Sequence, residues 1–118
     1  MDIVNKTRRI VIAKNALRAQ SLFSRMRGLM LRRKPIALVI VAPNQSIEST
    51  SIHMFLMLFS IDVIWADKDG NVVDLRKGIK PFSLRIFRPK KSAKYVIELP
   101  VGSIEKSKTE VGDKLVLK

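Results

Sequence analysis

Short β-branched segments separated by turn residues constrain the fold of this chain more than any other feature. Arg9–Ala13, Ile61–Trp65 and Lys94–Leu99 are examples, each too short for an ordinary helix and rich in Ile and Val. Little helical periodicity separates these segments, which argues against parallel βαβ units. We therefore predict a mostly β fold in which residues 1–118 form a compact single-domain β-sandwich or half-barrel of about six strands with two short helices.

Two local patterns give the strongest structural predictions. The continuous apolar run Ile36–Ala42, with a proline on either side, predicts a strand buried on both faces. The Asp69-Gly70 step lies between two β-branched runs, Ile61–Trp65 and Val72–Leu75, and predicts a tight hairpin.

The two predicted helices are short, and their prediction depends on residue types that favour helix ends. Ser21 is a suitable N-cap and Gly28 a suitable terminating residue for the first helix, and Ser103 can cap a single turn through Ser107. Lys14–Gln20 is predicted to be a link and Asn44–Ser51 a loop. Residues 76–94 are predicted to form irregular or edge structure.

Composition excludes several classes of function. The chain has no cysteine and a single histidine, which excludes disulfide frameworks, thiol nucleophiles and zinc sites built from Cys or several His. Asp67, Asp69 and Asn71 alternate around Gly70, but no suitable glutamate follows, so a hairpin turn explains them better than a calcium loop does. We predict no metal and no cofactor.

No apolar run is long enough to span a bilayer, and we expect no transmembrane segment. The first residues lack the apolar stretch and the cleavage site of a signal peptide. The sequence therefore predicts a cytoplasmic protein.

Positive charge is concentrated at the two ends of the chain. Lys and Arg number 23 against 10 Asp and Glu, which gives a formal charge of +13. Residues 1–34 carry a net +9, residues 35–75 a net −4 and residues 76–118 a net +8. Two basic flanks around an acidic, apolar middle predict a surface with a positive side.

Several segments occur in an order that is specific to one family. These segments are Arg25-Met26-Arg27-Gly28-Leu29-Met30, His53-Met54-Phe55, Ile61-Asp62-Val63-Ile64, Asp69-Gly70-Asn71-Val72-Val73, Glu98-Leu99-Pro100-Val101-Gly102 and Gly112-Asp113. The sequence resembles the uncharacterised DUF192 family, also called UPF0127, over roughly residues 9–117. The resemblance implies a compact β-rich domain with short helices and supplies no established activity.

Three residues are candidates for catalysis. His53 and Asp62 lie in the same apolar region and could approach one another if their strand pieces pair, so that a carboxylate would hold an imidazole as a general base. Glu98, at a strand end, could be catalytic or could pair with a nearby cation. A buried polar pair, with each partner hydrogen-bonded to backbone, explains the first two residues better. No nucleophile accompanies them, so the sequence does not favour an enzyme.

The basic residues form two clusters that could bind a polyanion. They are the anion-binding candidates Arg25, Arg27, Arg32 and Arg33, with Lys34, and Arg85, Arg88, Lys90 and Lys91, with Lys94. Phe82 and Phe87 are interleaved with the second cluster and could offer a stacking surface to nucleic acid. The same charges would suit anionic lipid or a merely solvated surface. The sequence does not show whether the two clusters share a face.

The apolar segment 52–59 has more hydrophobic residues than one half-buried strand needs. The domain's own core is the ordinary explanation, and a homodimer contact is the alternative. Together with His53 and Asp62, this segment supports a second functional hypothesis, a small-molecule or protein-interaction module.

Overall fold

A computed structural model describes residues 1–19, 36–54 and 57–118, apart from the side chain of His53. In chain order the strands are β1 (Ile3–Asn5), β2 (Ile10–Ala13), β3 (Leu17–Ala19), β4 (Leu38–Ser46), β5 (Ile52–His53), β6 (Ile61–Ala66), β7 (Val72–Ile79), β8 (Ile86–Phe87), β9 (Ala93–Pro100) and β10 (Leu115–Leu117). A 3-10 turn at Glu48–Thr50 follows β4, and the helix α1 (Ser103–Ser107) follows β9. Both helical elements in this part of the chain are too short to cross a bilayer.

The central element is a five-stranded sheet with the strand order β3-β4-β9-β6-β7. Only the β3–β4 pair is parallel, and the other neighbours are antiparallel. β9 lies in the middle, paired over most of its length with β4 and β6. β7 is an edge strand, and the end of β7 is solvent-exposed at Arg76–Gly78.

Side chains of this sheet alternate between two apolar cores. Trp65 and Val63 point into one core together with Met54, Met57 and Phe87, beneath the two-stranded β5–β8 ribbon. On the opposite face, residues from β4, β6 and β9 pack against β1, β10 and α1, through the buried side chains Val39, Ile64, Ile97, Ile3, Leu115 and Ile104. The central sheet is therefore buried on both faces, which explains why its strands have continuous apolar sequences.

A smaller antiparallel sheet joins the two ends of the described chain. β1 lies between β2 and β10, and the backbones of Asp2 and Lys118 exchange two hydrogen bonds. Beside this pairing, Asp113 accepts hydrogen bonds from the Asn5 amide at 3.0 Å and from Arg8 Nε at 2.6 Å. Arg8 also pairs with Glu110 at 2.9 Å.

The predicted hairpin is confirmed, with β6 and β7 paired antiparallel around the Asp67–Gly70 turn. Asp67 Oδ1 accepts the N–H groups of Asp69 and Asn71, both at 2.9 Å. Gly70 has φ +90°, and a β-carbon there would lie 2.4 Å from the Leu115 carbonyl oxygen. Only glycine satisfies both conditions, because a side chain would be strained and would also collide with β10.

The mostly β fold class is confirmed, and the described strands do not close into a barrel. The strand predicted at Ile36–Ala42 is present as β4, buried on both faces from Leu38 to Ile40. Ile52–Trp65 contains two strand pieces, as predicted. The helix predicted at Ser21–Gly28 lies outside the described residues.

Several details of the prediction are wrong. The link predicted at Lys14–Gln20 contains β3, and β4 extends through Ser46 into the loop predicted at Asn44–Ser51. By contrast, the extension of β7 to Ile79 agrees with the edge structure predicted for residues 76–94, because β7 is the edge strand of its sheet. The strands exceed the predicted six because β1, β3 and β8 are two or three residues long, too short to show a periodicity.

The predicted cap of α1 is also wrong. Gly102 is the N-cap residue, and the Ser103 hydroxyl instead donates to the Pro100 carbonyl at 2.6 Å. A carboxylate from β6, described below, accepts the N–H groups at this end of the helix.

Replacing Asp113 with Asn should destabilise the protein in a pH-dependent manner. Burial alone would raise the pKa of the Asp113 carboxyl, but hydrogen bonds from Arg8, Asn5 and the Glu110 N–H outweigh it and lower the pKa below its usual value. The stabilisation is therefore complete above the ordinary Asp pKa of about 3.9 and is lost as the pH falls through the lower folded value.

We expect Asp113→Asn to lower the free energy of unfolding by about 1.5–3 kcal/mol at pH 7. Urea denaturation of both proteins from pH 7 down to about pH 3 checks this, and the difference should shrink below about pH 4. Asp69→Asn, at an exposed position, is the charge-matched control. A difference that stays constant across this range contradicts the assigned role of the carboxylate.

Candidate functional site

Among the residues that the structure describes, exposed positive charge is most concentrated in the segment 76–94, which runs from the edge strand β7 to the start of β9. The segment contains eight basic residues and no acid. Seven of the eight are solvent-exposed: Arg76, Lys77, Lys80, Arg85, Arg88, Lys90 and Lys91. The exposure follows from the position of the segment, because β7 has a neighbour on one side only and the chain then passes over the surface to β8.

A groove of about 280 Å³ lies at the end of β7. Four cationic side chains line it, and no carboxylate does: they belong to Arg76, Lys77, Lys80 and Arg85. Phe87 also lines the groove, and both guanidinium groups stand over its ring, with Cζ 5.5 Å from the centroid for Arg76 and 5.4 Å for Arg85. Such cation–π contacts hold the two positive charges at one place without neutralising them.

One cation of the groove has an acidic partner. Lys77 Nζ lies 2.9 Å from Glu105 Oε2 on α1, and this hydrogen bond lowers the pKa of the Glu105 carboxyl. Both side chains are exposed, so the pair is screened by solvent and contributes little to stability. No carboxylate of the described residues forms an ion pair with Arg76, Lys80 or Arg85.

Several acidic residues hold backbone N–H groups in place. The carboxylates of Asp2, Asp67 and Asp74 each accept backbone N–H groups. For Asp74 the donors are Leu75 at 2.8 Å and Lys90 at 2.9 Å, so the basic segment is fixed to β7 through its backbone. These carboxylates therefore fix local backbone structure and leave most of the exposed cations uncompensated.

Asp62 has a similar role at a deeper position. Its side chain is buried, Oδ1 accepts the Gly78 N–H at 2.9 Å, and Oδ2 accepts the N–H groups of Gly102 at 3.1 Å and Ile104 at 3.0 Å. The register between β6 and β7 shifts beside Asp62, which brings Gly78 toward this carboxylate. One carboxylate thus joins β6 to the edge strand and to the start of α1.

The condition that would bring His53 to Asp62 is absent. β5, which contains His53, pairs with β8, whereas β6 pairs with β7 and β9. Glu98 is buried in β9, directly opposite Leu38 on one side and Val63 on the other. Catalytic roles for these three residues stay predictions, and among the described residues no three His, Asp or Glu side chains are grouped to hold a metal ion.

The structure describes half of the predicted anion-binding residues. Arg85, Arg88, Lys90 and Lys91 are exposed in the basic segment, whereas Arg25, Arg27, Arg32 and Arg33 lie outside the described residues. Sequence reasoning missed Arg76, Lys77 and Lys80 as site residues. Their signal was available, because the acid-free stretch of the sequence begins at Arg76.

The apolar segment 52–59 contributes largely to the core. Ile52, Met54 and Met57 are almost fully buried in the core beneath the β5–β8 ribbon, and Leu58 is 42% exposed. Phe55 and Leu56 lie outside the described residues. A dimer contact through this segment stays a prediction.

A second, larger groove of about 650 Å³ lies between β2 and α1. Ile10, Val11 and Ile12 line one side, and Val101 and Gly102 lie on the other. Val11 and Val101 are 49% and 58% exposed, so the groove presents apolar surface to solvent. This groove was not predictable from the sequence because its two sides are about ninety residues apart in the chain.

The fold and these surfaces define a small, mostly β domain with a doubly covered central sheet and a cation-lined groove at the sheet edge. The chain belongs to the DUF192 family, described as an uncharacterized ACR, whose family model matches residues 4–117. The resemblance predicted from the sequence is therefore confirmed.

Relatives support this assignment, and a solved structure shares the fold. A UPF0127 protein of Thermococcus sibiricus is 43% identical over 114 residues, covering 96% of this chain and 72% of the relative. One from Pyrococcus abyssi is 41% identical and covers 96% and 94%. A crystal structure from Sinorhizobium meliloti 1021, described as a "putative transcription regulator", has a TM-score of 0.85 at 19% identity, covering 98% of this chain and 89% of that chain. At this identity the match shows a shared fold only.

Replacing Asp62 with Asn tests whether this residue is structural. An amide nitrogen would face N–H donors where a carboxylate oxygen now accepts them, so we expect a loss of about 2–4 kcal/mol in the free energy of unfolding. Urea denaturation measures this change. Glu105→Gln, which removes only an exposed ion pair, should leave the midpoint almost unchanged. Equal midpoints for wild type and Asp62→Asn would rule out the structural role.

Proposed function

We propose that this protein binds a polyanion through the groove at the end of β7. The observation that supports the proposal is the pair of guanidinium groups of Arg76 and Arg85 over the single ring of Phe87, in a groove lined by no carboxylate. Lys77 and Lys80 add two further positive charges to the lining. A concave, water-exposed groove lined by one sign of charge concentrates ligands of the opposite sign.

The electrostatics favour an anion between the two arginines. Two like charges above one ring repel each other, and the described residues provide no carboxylate to relieve this repulsion. A phosphate group would do so, because guanidinium groups donate paired hydrogen bonds to phosphate oxygens. The cation–π contacts hold both donors in place before binding, which lowers the entropy lost on binding.

The charge continues beyond the groove, which favours a long ligand over a single small anion. Arg88, Lys90 and Lys91 are all exposed in the chain that follows Phe87. The Lys90 N–H donates to Asp74, so this part of the segment is held against the edge strand β7. A chain of phosphates could therefore contact several cations in succession.

Two further considerations agree with this proposal. The Sinorhizobium meliloti protein that shares the fold is described as a "putative transcription regulator", a role that involves nucleic acid. In the cytoplasm, where the sequence predicts this protein to lie, nucleic acids and inorganic polyphosphate are abundant polyanions.

The double substitution Arg76→Gln/Arg85→Gln tests the proposed site. Isothermal titration with inorganic polyphosphate at about 0.15 M salt should show at least a tenfold loss of affinity, because each lost guanidinium removes a charge-assisted contact. The binding constant of the wild type should fall steeply with added salt.

Lys6→Gln/Lys14→Gln is the matched control, since it removes the same charge from exposed side chains near the small sheet. It should change the affinity only slightly. An equal loss in both variants would mean that net charge, and not the groove, governs binding. No measurable binding by the wild type would reject the proposal.

The larger groove between β2 and α1 supports a second candidate function, the binding of a small apolar molecule or an apolar peptide segment. The observation is its volume of about 650 Å³ with exposed Val11 and Val101 on opposite sides. Gly102 lines this groove, and its N–H donates a hydrogen bond to Asp62. Asp62, a catalytic candidate from the sequence, therefore fixes the backbone of one wall of the groove. Pockets of this size and composition commonly accommodate small ligands.

Val11→Lys should abolish binding in this groove by placing a charge among the apolar side chains. A thermal-shift screen of small apolar compounds provides the ligands, and each one that stabilises the wild type should fail with this variant. Val111→Lys is the control, because it also replaces an exposed valine with lysine. Val111 is 58% exposed, as Val101 is, and Val11 is 49% exposed. Compounds that stabilise all three proteins alike do not bind in this groove.

A further inference from the structure

Exposed apolar side chains are interleaved with the cations of the basic segment. Phe82 is 54% exposed, Leu84 85% and Ile86 58%, and Arg85 and Arg88 lie between and after them. Leaving these side chains in water is unfavourable, and folded proteins place contiguous exposed apolar groups at binding surfaces. The apolar groups directly adjoin the groove, whose lining includes Ser83 and Arg85.

Phe82 is held in an unusual backbone conformation. Its φ is +59°, in the left-handed region that is unfavourable for a residue with a β-carbon. Its N–H donates to the Met54 carbonyl at 3.1 Å, which ties this strained residue to the buried core. Strain of this kind persists where the surrounding structure enforces it, and it is concentrated at binding sites. Here it accompanies an aromatic side chain that is 54% exposed and next in the chain to Ser83, which lines the cationic groove.

We propose that the polyanion is single-stranded nucleic acid, with phosphates at Arg76 and Arg85 and an unpaired base stacked on Phe82. This inference rests on the proposed function and adds the class of ligand. Proteins that bind single strands combine a positive groove with aromatic stacking surfaces. A duplex keeps its bases stacked inside and offers only phosphates to such a surface. Inorganic polyphosphate has no group that would use the ring.

The shape of the surface favours a nucleic-acid strand over an anionic membrane. The guanidinium groups lie in a concave groove with Phe87 in its lining, and a flat layer of headgroups would not follow that contour. A single flexible strand can place its phosphates in the groove while a base leaves the strand to reach Phe82. Anionic vesicles therefore serve as a competing ligand in the test.

Fluorescence anisotropy with labelled probes tests this inference. The probes are a single-stranded oligo-dT of about twelve nucleotides, an oligo-U of equal length and a DNA duplex of equal length, with unlabelled inorganic polyphosphate as competitor. The variants are Phe82→Leu, which removes the ring but keeps an apolar side chain, and Phe82→Trp, which keeps an aromatic face. Phe82 is more than half exposed, so circular dichroism should show both variants folded.

We expect Phe82→Leu to weaken binding of both single strands about fivefold or more and Phe82→Trp to preserve it. Neither substitution should alter the affinity for polyphosphate, and the duplex should bind more weakly than the single strands. If Phe82→Leu binds the single strands as tightly as the wild type does, the inference is wrong. The proposed function would still stand if Arg76→Gln/Arg85→Gln lost affinity for polyphosphate.

Two other outcomes overturn the inference in distinguishable ways. Tight binding to anionic phosphatidylserine vesicles, lost in Phe82→Leu, together with no binding to oligonucleotides would identify a lipid surface as the ligand. Failure of every polyanion to bind the wild type would reject the inference and the proposed function together.

Discussion

The Asp62 carboxylate joins three parts of the molecule: the strand β6 that carries it, the edge strand β7 and the start of α1. It takes hydrogen bonds from Gly78 in β7 and from Gly102 and Ile104 at the start of α1, and it does so from within the buried central sheet. Gly78 lines the cationic groove, and Gly102 lines the apolar groove on the other side of α1. Both candidate binding surfaces therefore have one wall whose backbone position is set by the same buried carboxylate. Such a group is well suited to this task, because two oxygens can satisfy several N–H donors at once.

The acidic and basic side chains differ in where they lie and in what they contact. Acidic side chains accept backbone N–H groups at turns and strand ends, as Asp67, Asp74 and Asp113 do. Basic side chains are displayed on the surface, most densely between β7 and β9. In the part of the chain that the structure describes, a ligand therefore meets a surface with many exposed cations. Relatives from Thermococcus and Pyrococcus place the chain in a family of uncharacterised proteins, so these charges are a physical starting point for assigning its function.

An element could be predicted from the sequence when the residues that stabilise it are close together in the chain. The β6–β7 hairpin was predictable from the Asp69-Gly70 step in its turn. The doubly buried strand β4 was predictable from its continuous run of apolar residues. β1 and β3 were not, since each is three residues long and is fixed by a distant partner. The cap of α1 was assigned to Ser103 because a neighbouring serine is the usual source, whereas the acceptor comes from β6, about forty residues earlier.

The candidate site shows the same limit. The acid-free stretch after β7 identified the basic surface and placed Arg85, Arg88, Lys90 and Lys91 on it. Its organisation around the Phe87 ring was not visible, because Arg76 and Arg85 meet there only when β7 and β8 are folded beside each other. The possible partnership of His53 and Asp62 depended on a pairing of β5 with β6, and the strands found other neighbours.

The pairing of β1 with β10 has a consequence for biosynthesis. β1 leaves the ribosome before every other strand of the described chain, yet its partner strand β10 ends at residue 117. The small sheet therefore cannot close until nearly the whole described chain has been translated, and the Arg8–Asp113 contact must wait equally long. Until then β1 and β2 form at most an isolated two-stranded ribbon, which is only marginally stable in water. Contacts between such distant parts of a chain form slowly, so closure of the small sheet is a late step in folding.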